Sequence, residues 1–318
     1  MQQSKMRIFS GSSNKALTAT ICKQLGVEPG KIEISRFKSG EVYVHYEESI
    51  RNCDVFLVQS LSHPINELFV ELLVMIDAAK RASAHTITIV LPYYGYARQE
   101  RKSAPREPIS AKMVADVLTT AGASRVVTLD LHAPAIQGFF NIPVDHLTAL
   151  DLMTEYLLSK NIQNPVIVSP DAGRASMAEK LASGMDSPFA IMIKKRPAHN
   201  QSVITHVIGD VEGRTPIIIE DLIDTGSTIL QVVEGLKERG AGDAIVCATH
   251  GLFSDKGLAR LDHPNIREVV ITDSIELAAE ELLIPRLHML SVAPLFSRAI
   301  RYIMEGGSIA TMFRNRGI

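Results

Sequence analysis

Short apolar runs alternate with segments of helical periodicity along most of this chain. The run VFLVQS precedes a helical pattern at 67–81, and TITIVLPYYG precedes another at 110–121. Continuous apolar strands joined by helices are typical of parallel sheets whose two faces are covered. The alternation therefore predicts an α/β fold of mainly parallel sheets flanked by helices, with ligands bound beyond the carboxyl ends of the strands. It continues through RVVTLDLH, PVIVSPD, FAIMIKK, PIIIEDLID, AIVCATHG and EVVITDS.

The length and the charge of the chain restrict its organisation and its partners. With 318 residues it exceeds a usual single domain, so we predict two domains, residues 1–148 and 149–291. Lysine and arginine together number 33, against 35 aspartates and glutamates, which leaves no net basic field for nucleic acid or an anionic membrane. Any phosphate binding must therefore be local.

The cysteines and the apolar segments bear on the cellular compartment. Cys22, Cys53 and Cys247 are widely spaced and lack a C-x-x-C pattern, so neither a disulfide framework nor a zinc site is indicated. The N-terminal residues have no apolar core of signal-peptide length, and FVELLVMIDAA is too short to span a membrane. We therefore expect a cytoplasmic protein without membrane association.

The segment 217–229, IIIEDLIDTGSTI, places carboxylates, a glycine and hydroxyls after a buried apolar run. Apolar spacing from 227 to 239 predicts a helix, so a short turn would present backbone N–H groups at a helix N-terminus, where anions bind. Gly226 permits close backbone approach, and the turn therefore predicts a phosphate cradle. An ordinary helix N-terminus capped by Asp224 or Thr225 is the alternative. Hydroxyls of the cradle come from Thr225, Ser227 and Thr228.

Two acids, Glu220 and Asp221, lie just before this turn. Carboxylates repel a bare phosphate, but they accept hydrogen bonds from sugar hydroxyls or help to hold a cation. A sugar phosphate satisfies both halves of the segment.

The loop at 91–108, LPYYGYARQERKSAPREP, combines three tyrosines with several cations. Its prolines exclude a continuous helix. Aromatic rings for a base and guanidinium groups for phosphates suit a nucleotide. A solvated charged loop is the alternative.

These motifs resemble those of a known family. EDLIDTGST resembles the phosphoribosyl-pyrophosphate (PRPP) motif of the phosphoribosyltransferase fold, which base-salvage transferases and PRPP synthetases share. PYYGYARQ, DLHAPAIQGFF, SPDAG and KKRP resemble, in order and spacing, class I ribose-phosphate pyrophosphokinases over nearly the whole chain. The resemblance implies two phosphoribosyltransferase-type domains. It also implies attack of the anomeric hydroxyl of ribose 5-phosphate on the β-phosphorus of MgATP, giving PRPP and AMP.

The resemblance assigns residues to the metal and to the transferred group. It implies that His132 and Asp171 serve Mg²⁺, with Asp130 in support because positions 130 and 132 of a strand share a face. Lys194 and Arg196 match a mobile catalytic loop whose cations embrace the β-phosphoryl group. Strand alternation would direct positions 194 and 196 alike and Lys195 away.

The resemblance also assigns the two substrate sites. Phe37, in FKSGE, would stack on the adenine of ATP in a neighbouring subunit, with Glu41 near the amino edge of the base. It therefore implies an oligomer, typically a hexamer built from dimers, with phosphate and ADP as allosteric ligands and a C-terminal tail, 292–318, packed on the N-terminal domain. The implied ATP-binding residues are Phe37, Ser39, Gly40, Glu41, Arg98 and Gln99. The implied ribose-5-phosphate-binding residues are Arg196, Glu220, Asp221, Asp224, Thr225, Gly226, Ser227 and Thr228.

The chain departs from the family pattern at several positions. Ser39 replaces an aspartate, Arg174 replaces the second glycine after SPD, and Met177 replaces an arginine. Arg174 would either crowd the pyrophosphate loop or supply the displaced positive charge, and we expect the second. Two functions stay open: an active PRPP synthetase, and a catalytically weak regulatory subunit that modulates an active partner. A base-salvage transferase would not explain the 91–108 loop.

Overall fold

The computed structural model describes residues 5–198 and 201–312, which form two compact units. The first unit runs to Leu147 and includes Ser274–Glu276 and the segment from Ser291. The second comprises Thr148–Asp273 and Leu277–Leu290. The side chains of residues 194–198, 201–205, 310 and 312 lie outside the description.

The first unit is built on a parallel sheet. Within residues 5–147, five strands lie in the order β1-β4-β5-β6-β7, and each pair of neighbours is parallel. A separate antiparallel hairpin is formed by β2 and β3. The elements are β1 (Lys5–Ser10), α1 (Lys15–Leu25), β2 (Ile32–Arg36), β3 (Val42–Tyr46), β4 (Cys53–Val58), α2 (Ile65–Arg81), β5 (Thr86–Leu91), α3 (Ser110–Ala121), β6 (Arg125–Leu129) and β7 (Val144–Leu147).

The second unit has a larger sheet with one antiparallel edge. In the described part of this unit, seven strands lie in the order β10-β9-β8-β11-β12-β13-β14, and β9 and β10 form the antiparallel pair. The elements are α4 (Leu150–Ser159), β8 (Pro165–Ser169), α5 (Ala175–Gly184), β9 (Phe189–Ala198), β10 (Gln201–Ile208), β11 (Thr215–Ile223), α6 (Ser227–Lys237), β12 (Ala244–Gly251), α7 (Gly257–Arg260), β13 (Ile266–Thr272) and β14 (Leu287–Leu290).

The central strands are buried on both faces, as the unbroken apolar runs predict. Every residue of β12 is buried, and Ile217, Ile218 and Ile219 of β11 have no exposed surface. A strand covered on both faces needs apolar side chains in both directions, which explains why these runs do not alternate with polar residues. The predicted α/β class, with mainly parallel sheets flanked by helices, is confirmed.

The chain returns to the first unit near its end. Helix α8 (Ala293–Glu305) buries one face, including Phe296 and Ile300, and packs on α1. Ser297 Oγ donates a hydrogen bond to Gln24 Oε1 at 2.8 Å, and Arg301 donates to the Gln24 carbonyl at 3.3 Å. Among the described helices, none combines the length and the apolar character that crossing a bilayer requires.

Candidate active site

The end of β11 carries an acid pair held by one arginine. Arg174 Nε lies 3.1 Å from Glu220 Oε2, and Arg174 Nη2 lies 2.8 Å from Asp221 Oδ1. The strands explain the meeting: β8 and β11 are parallel neighbours, so the turn that follows β8 reaches the end of β11. The positive charge of Arg174 is therefore directed at the two acids, and the expectation that it supplies the displaced charge of the pyrophosphate loop stays a prediction.

Burial shapes the electrostatics of this cluster. Only 3% of the Asp221 side chain and 11% of the Glu220 side chain are exposed. Burial and the neighbouring charges of Asp221 and Asp171 raise the pKa of Glu220 from 4.5 to about 8, against the opposing charge of Arg174. A carboxyl group that titrates near neutrality is typical of functional sites, although structural ion pairs also produce such shifts.

The predicted cradle lies between β11 and α6. Gly226 is the N-cap of α6 with φ 74°, a left-handed conformation that favours glycine. Within the described residues, no side chain caps this helix, so the alternative of a cap by Asp224 or Thr225 is wrong. Exposed hydroxyls surround the N-terminus, on Thr225, Ser227 and Thr228. A helix N-terminus without a side-chain cap keeps its amide donors available to an anion.

Residues of α7 contact the backbone of the cradle turn. Arg260 Nη1 donates to the Thr225 carbonyl at 2.7 Å, and Arg260 Nη2 pairs with Asp255 at 2.7 Å. A Cβ added at Gly257 would lie 2.2 Å from the Asp224 carbonyl oxygen, closer than any real contact. The backbones therefore approach closely enough that only glycine fits at 257.

Asp171 occupies the turn after β8. Its Oδ1 accepts a hydrogen bond from the Gly173 amide at 2.8 Å, and its side chain is partly exposed. One carboxylate of this kind suits Mg²⁺, which usually takes one or two protein carboxylates together with substrate phosphates. Among the described residues, no group of three or more His, Cys, Asp and Glu side chains surrounds a metal position. The single carboxylate of Asp171 fits a cation that takes its other ligands from a phosphorylated substrate and water.

The DLH segment follows β6 in the first unit. The prediction that Asp130 and His132 share a strand face is wrong, because β6 ends at Leu129 and Asp130 has a left-handed φ of 36°. His146 of β7 accepts the Leu131 amide at 2.9 Å and so fixes this turn. The backbone turn, not strand alternation, directs the two side chains.

The FKSGE segment forms the tip of the β2–β3 hairpin. Phe37 is 56% exposed and meets Tyr43 edge-to-face, with ring centroids 5.7 Å apart. Ser39 Oγ donates to Glu41 Oε2 at 2.5 Å, so the serine orients the acid. Gly40 turns the chain with φ 95°. An exposed ring beside an oriented acid is compatible with the predicted adenine contact.

The 91–108 loop divides its residues between core and surface. Tyr93 and Tyr94 are buried, and the Tyr94 hydroxyl donates to the Ala111 carbonyl at 2.8 Å. The expectation that these rings serve a base is therefore wrong for both tyrosines. Arg98 and Gln99 are exposed, and Gln99 Oε1 accepts from Ser110 Oγ at 2.6 Å.

Lys194 and Arg196 lie within β9, and their side chains are outside the described part of the chain. Lys194 and Lys195 pair with consecutive residues of β10, Ile204 and Val203. The register shifts between Lys195 and Ala198. The expectation that Lys194 and Arg196 share a face, with Lys195 turned away, concerns these undescribed side chains and stays a prediction.

Sequence reasoning gave no role to three residues that shape these turns. His146 and Arg260 act through backbone groups of other segments, and Gly257 acts through its missing side chain. Such contacts join positions far apart in the chain, and no local motif signals them. Of the three, Gly257 alone gives a local signal, because a glycine shortly after a buried strand indicates a turn or a close backbone approach.

Family models, curated relatives and a solved structure of the same kind of enzyme all match this chain. A family model described as the N-terminal domain of ribose phosphate pyrophosphokinase matches residues 6–122, and one described as the phosphoribosyl synthetase-associated domain matches residues 170–314. Ribose-phosphate pyrophosphokinases of Bacillus cereus and Corynebacterium ammoniagenes are each 50% identical over 310 residues, covering 98% of either chain. A crystal structure of phosphoribosylpyrophosphate synthetase from Mycobacterium smegmatis matches with a TM-score of 0.90 and 43% identity, covering 96% of this chain and 100% of that one.

Proposed function

The chain belongs to the ribose-phosphate pyrophosphokinase family, and we propose that it transfers the β,γ-diphosphoryl group of ATP to the 1-hydroxyl of ribose 5-phosphate. The products are PRPP and AMP. The observation that carries this proposal is the uncapped cradle at Asp224–Thr228 next to the acid pair of β11. A phosphate group and a sugar diol on one ligand match these two neighbouring features.

In this reaction the sugar O1 attacks the β-phosphorus and loses its proton, while the bond from that phosphorus to the α–β bridging oxygen breaks and AMP leaves. The cradle amides and the hydroxyls of Thr225, Ser227 and Thr228 bind the 5-phosphate. The acid pair accepts hydrogen bonds from the ring hydroxyls. Lys194 and Arg196 stabilise the negative charge on the transferred group.

Magnesium is the cofactor that this chemistry requires. Asp171 would hold it, together with His132 and Asp130 in the manner that the family motif implies. When bound, the cation neutralises charge on the phosphates of the nucleotide. Imidazole is not a preferred Mg²⁺ ligand, so the carboxylates carry the proposed binding.

The nucleotide site would draw on residues of the first unit. Phe37 stacks on adenine, Glu41 meets the amino edge of the base, and Arg98 and Gln99 contact the nucleotide. The hairpin tip would serve the ATP site of a neighbouring subunit, which makes an oligomer, a hexamer built from dimers, part of the proposal. The proposal also includes phosphate and ADP as allosteric ligands and a cytoplasmic location.

AMP formation by the purified protein tests this function. Incubation with MgATP and ribose 5-phosphate should give AMP and PRPP in equal amounts, each dependent on both substrates. The altered residues of the SPDAGRASM loop, Arg174 and Met177, suit one rival, a regulatory subunit with weak catalysis. That rival predicts no turnover at any magnesium or phosphate concentration.

A further inference from the structure

Arg174 joins two side chains that a strand would otherwise separate. Glu220 and Asp221 are consecutive residues of β11, and consecutive strand residues point to opposite faces. One guanidinium nevertheless contacts both, at 3.1 Å and 2.8 Å. The arginine therefore determines where the two carboxylates meet.

The arrangement requires the planar, fork-like guanidinium group of Arg174. Guanidinium presents several donors in one plane and can contact two carboxylates at once, whereas an ammonium is a point charge. The two acids would otherwise repel each other in a buried position, where screening by water is weak. Only 16% of the Arg174 side chain is exposed, so its own position is restricted by packing.

The contacts involve particular oxygens of the two acids. Arg174 meets Oε2 of Glu220 and Oδ1 of Asp221. A carboxylate has about four acceptor positions in total. The chemistry of a carboxylate therefore allows it to accept from an arginine and from a sugar hydroxyl together.

We propose that Arg174 is a positioning residue that sets pentose specificity, because it fixes the Glu220–Asp221 pair where a vicinal diol must bind. This inference rests on the proposed function. It implies that the acids distinguish ribose 5-phosphate from 2-deoxyribose 5-phosphate, and that this discrimination depends on the guanidinium fork. The opposite role, in which Arg174 blocks the site and must be displaced, predicts the reverse effect on affinity.

Three variants separate these roles: Arg174→Met, Arg174→Lys and a control, Arg267→Met. Arg267 is an exposed arginine of β13 in the same unit. Calorimetric titration with each pentose phosphate gives affinities, and steady-state assays give kcat and KM. For Arg174→Met we expect KM for ribose 5-phosphate to rise about tenfold and the preference over the deoxy sugar to fall about tenfold, because hydrogen bonds to charged groups are at stake. The value of kcat should change by less than about threefold, since the reacting atoms are untouched.

Arg174→Lys should lose most of the discrimination as well, since it retains the charge without the fork. This variant decides the matter if Arg174→Met does not fold. Arg267→Met should match the wild type.

Unchanged discrimination in a folded Arg174 variant would overturn this inference alone, and tighter binding of ribose 5-phosphate would show that the arginine blocks the site. Binding of neither sugar by the wild type would instead remove the proposed function, and this inference with it.

Discussion

At the scale of single residues, the cradle depends on a side chain outside it. Arg260 donates to the Thr225 carbonyl and is itself held by Asp255. The ion pair lowers the pKa of Asp255, mainly through the hydrogen bond. A charged donor on a backbone carbonyl restricts the turn that presents the amides. The geometry of the cradle is therefore set partly from α7.

Arg260→Met should weaken binding of ribose 5-phosphate. Loss of the charged hydrogen bond frees the Thr225 carbonyl, so we expect KM for this substrate to rise about threefold to tenfold, with KM for ATP unchanged. Steady-state kinetics with each substrate varied in turn measures both values. Arg267→Met serves as the matched control. An unaltered KM for the sugar would show that the cradle is rigid without Arg260.

Glu220 should make the free energy of unfolding depend on pH. Its pKa is raised in the folded protein to about 8, so the folded state keeps a proton that the unfolded chain releases near 4.5. The contribution is therefore fully present below the unfolded pKa and is lost as the pH rises through the folded pKa. Between these values, stability falls by up to about 1.4 kcal/mol per pH unit on account of this group.

Glu220→Gln removes this dependence. Urea unfolding at pH 5.5, 6.5 and 7.5 should show the variant gaining stability relative to the wild type as the pH rises. Parallel curves for the two proteins would contradict the raised pKa.

Sequence reasoning singled out the acids and the turn at 224–228 as a candidate site, but not the contacts that arrange them. Glu220 and Asp221 stand out because carboxylates follow an apolar run. That Arg174 contacts both depends on β8 lying beside β11, a pairing between segments far apart in the chain. The tyrosines of the 91–108 loop misled for a similar reason, since only packing shows that Tyr93 and Tyr94 belong to the core.

At the scale of elements, the KKRPA segment belongs to strand β9, and the sequence pattern alone did not give the extent of this strand. The strand continues through Lys194 to Ala198, and Lys194 and Lys195 have consecutive partners on β10. Strand alternation along the sequence predicts opposite faces for positions 194 and 195. Substitution of Lys195 therefore serves as the matched control for substitution of Lys194.

Lys194→Ala should lower kcat about 100-fold or more while leaving binding of ribose 5-phosphate largely intact, because a group that stabilises charge acts chiefly in the transition state. Lys195→Ala should lower kcat by less than about threefold. Turnover rates and calorimetric affinities for both variants test the pair. Equal losses in the two variants, or a matching loss of sugar affinity in Lys194→Ala, would contradict the assignment.

Element ends were harder to predict than element types. The predicted helix at 110–121 matches α3, and the helix begun at Ser227 matches α6 to within two residues at its end. By contrast, β11 continues past its acids to Ile223, because Glu220 and Leu222 pair with Ala248 and His250 of β12. Pairing with a neighbouring strand extends or ends a strand, and the local sequence does not contain that information.

At the scale of the whole molecule, we propose that each ATP site is formed by two subunits, and local sequence gives the least information about this part of the proposal. The Phe37 tip is exposed on its hairpin, and the family resemblance implies that it serves a neighbouring subunit. Charge and apolar patterning predict sheets and cores, but they do not reveal which copy of a loop completes a site.

Mixing two inactive variants tests this arrangement. In mixed oligomers of Phe37→Ala and Lys194→Ala, some sites would combine an intact ring from one subunit with an intact lysine from the next. We expect AMP formation to recover to roughly a quarter of the wild-type rate at equal mixing, once subunits exchange. An affinity tag on one variant, with the untagged variant recovered beside it, confirms mixed assembly. Mixed oligomers without recovered activity would place both residues in sites formed by one chain.

A structure of the protein with ribose 5-phosphate and an ATP analogue tests the central claim most directly. We predict that the 5-phosphate lies within hydrogen-bonding distance of the amides at Thr225–Thr228, with the ring hydroxyls on Glu220 and Asp221. Ribose 5-phosphate bound elsewhere, with the Asp224–Thr228 turn vacant at saturating ligand, would contradict the account.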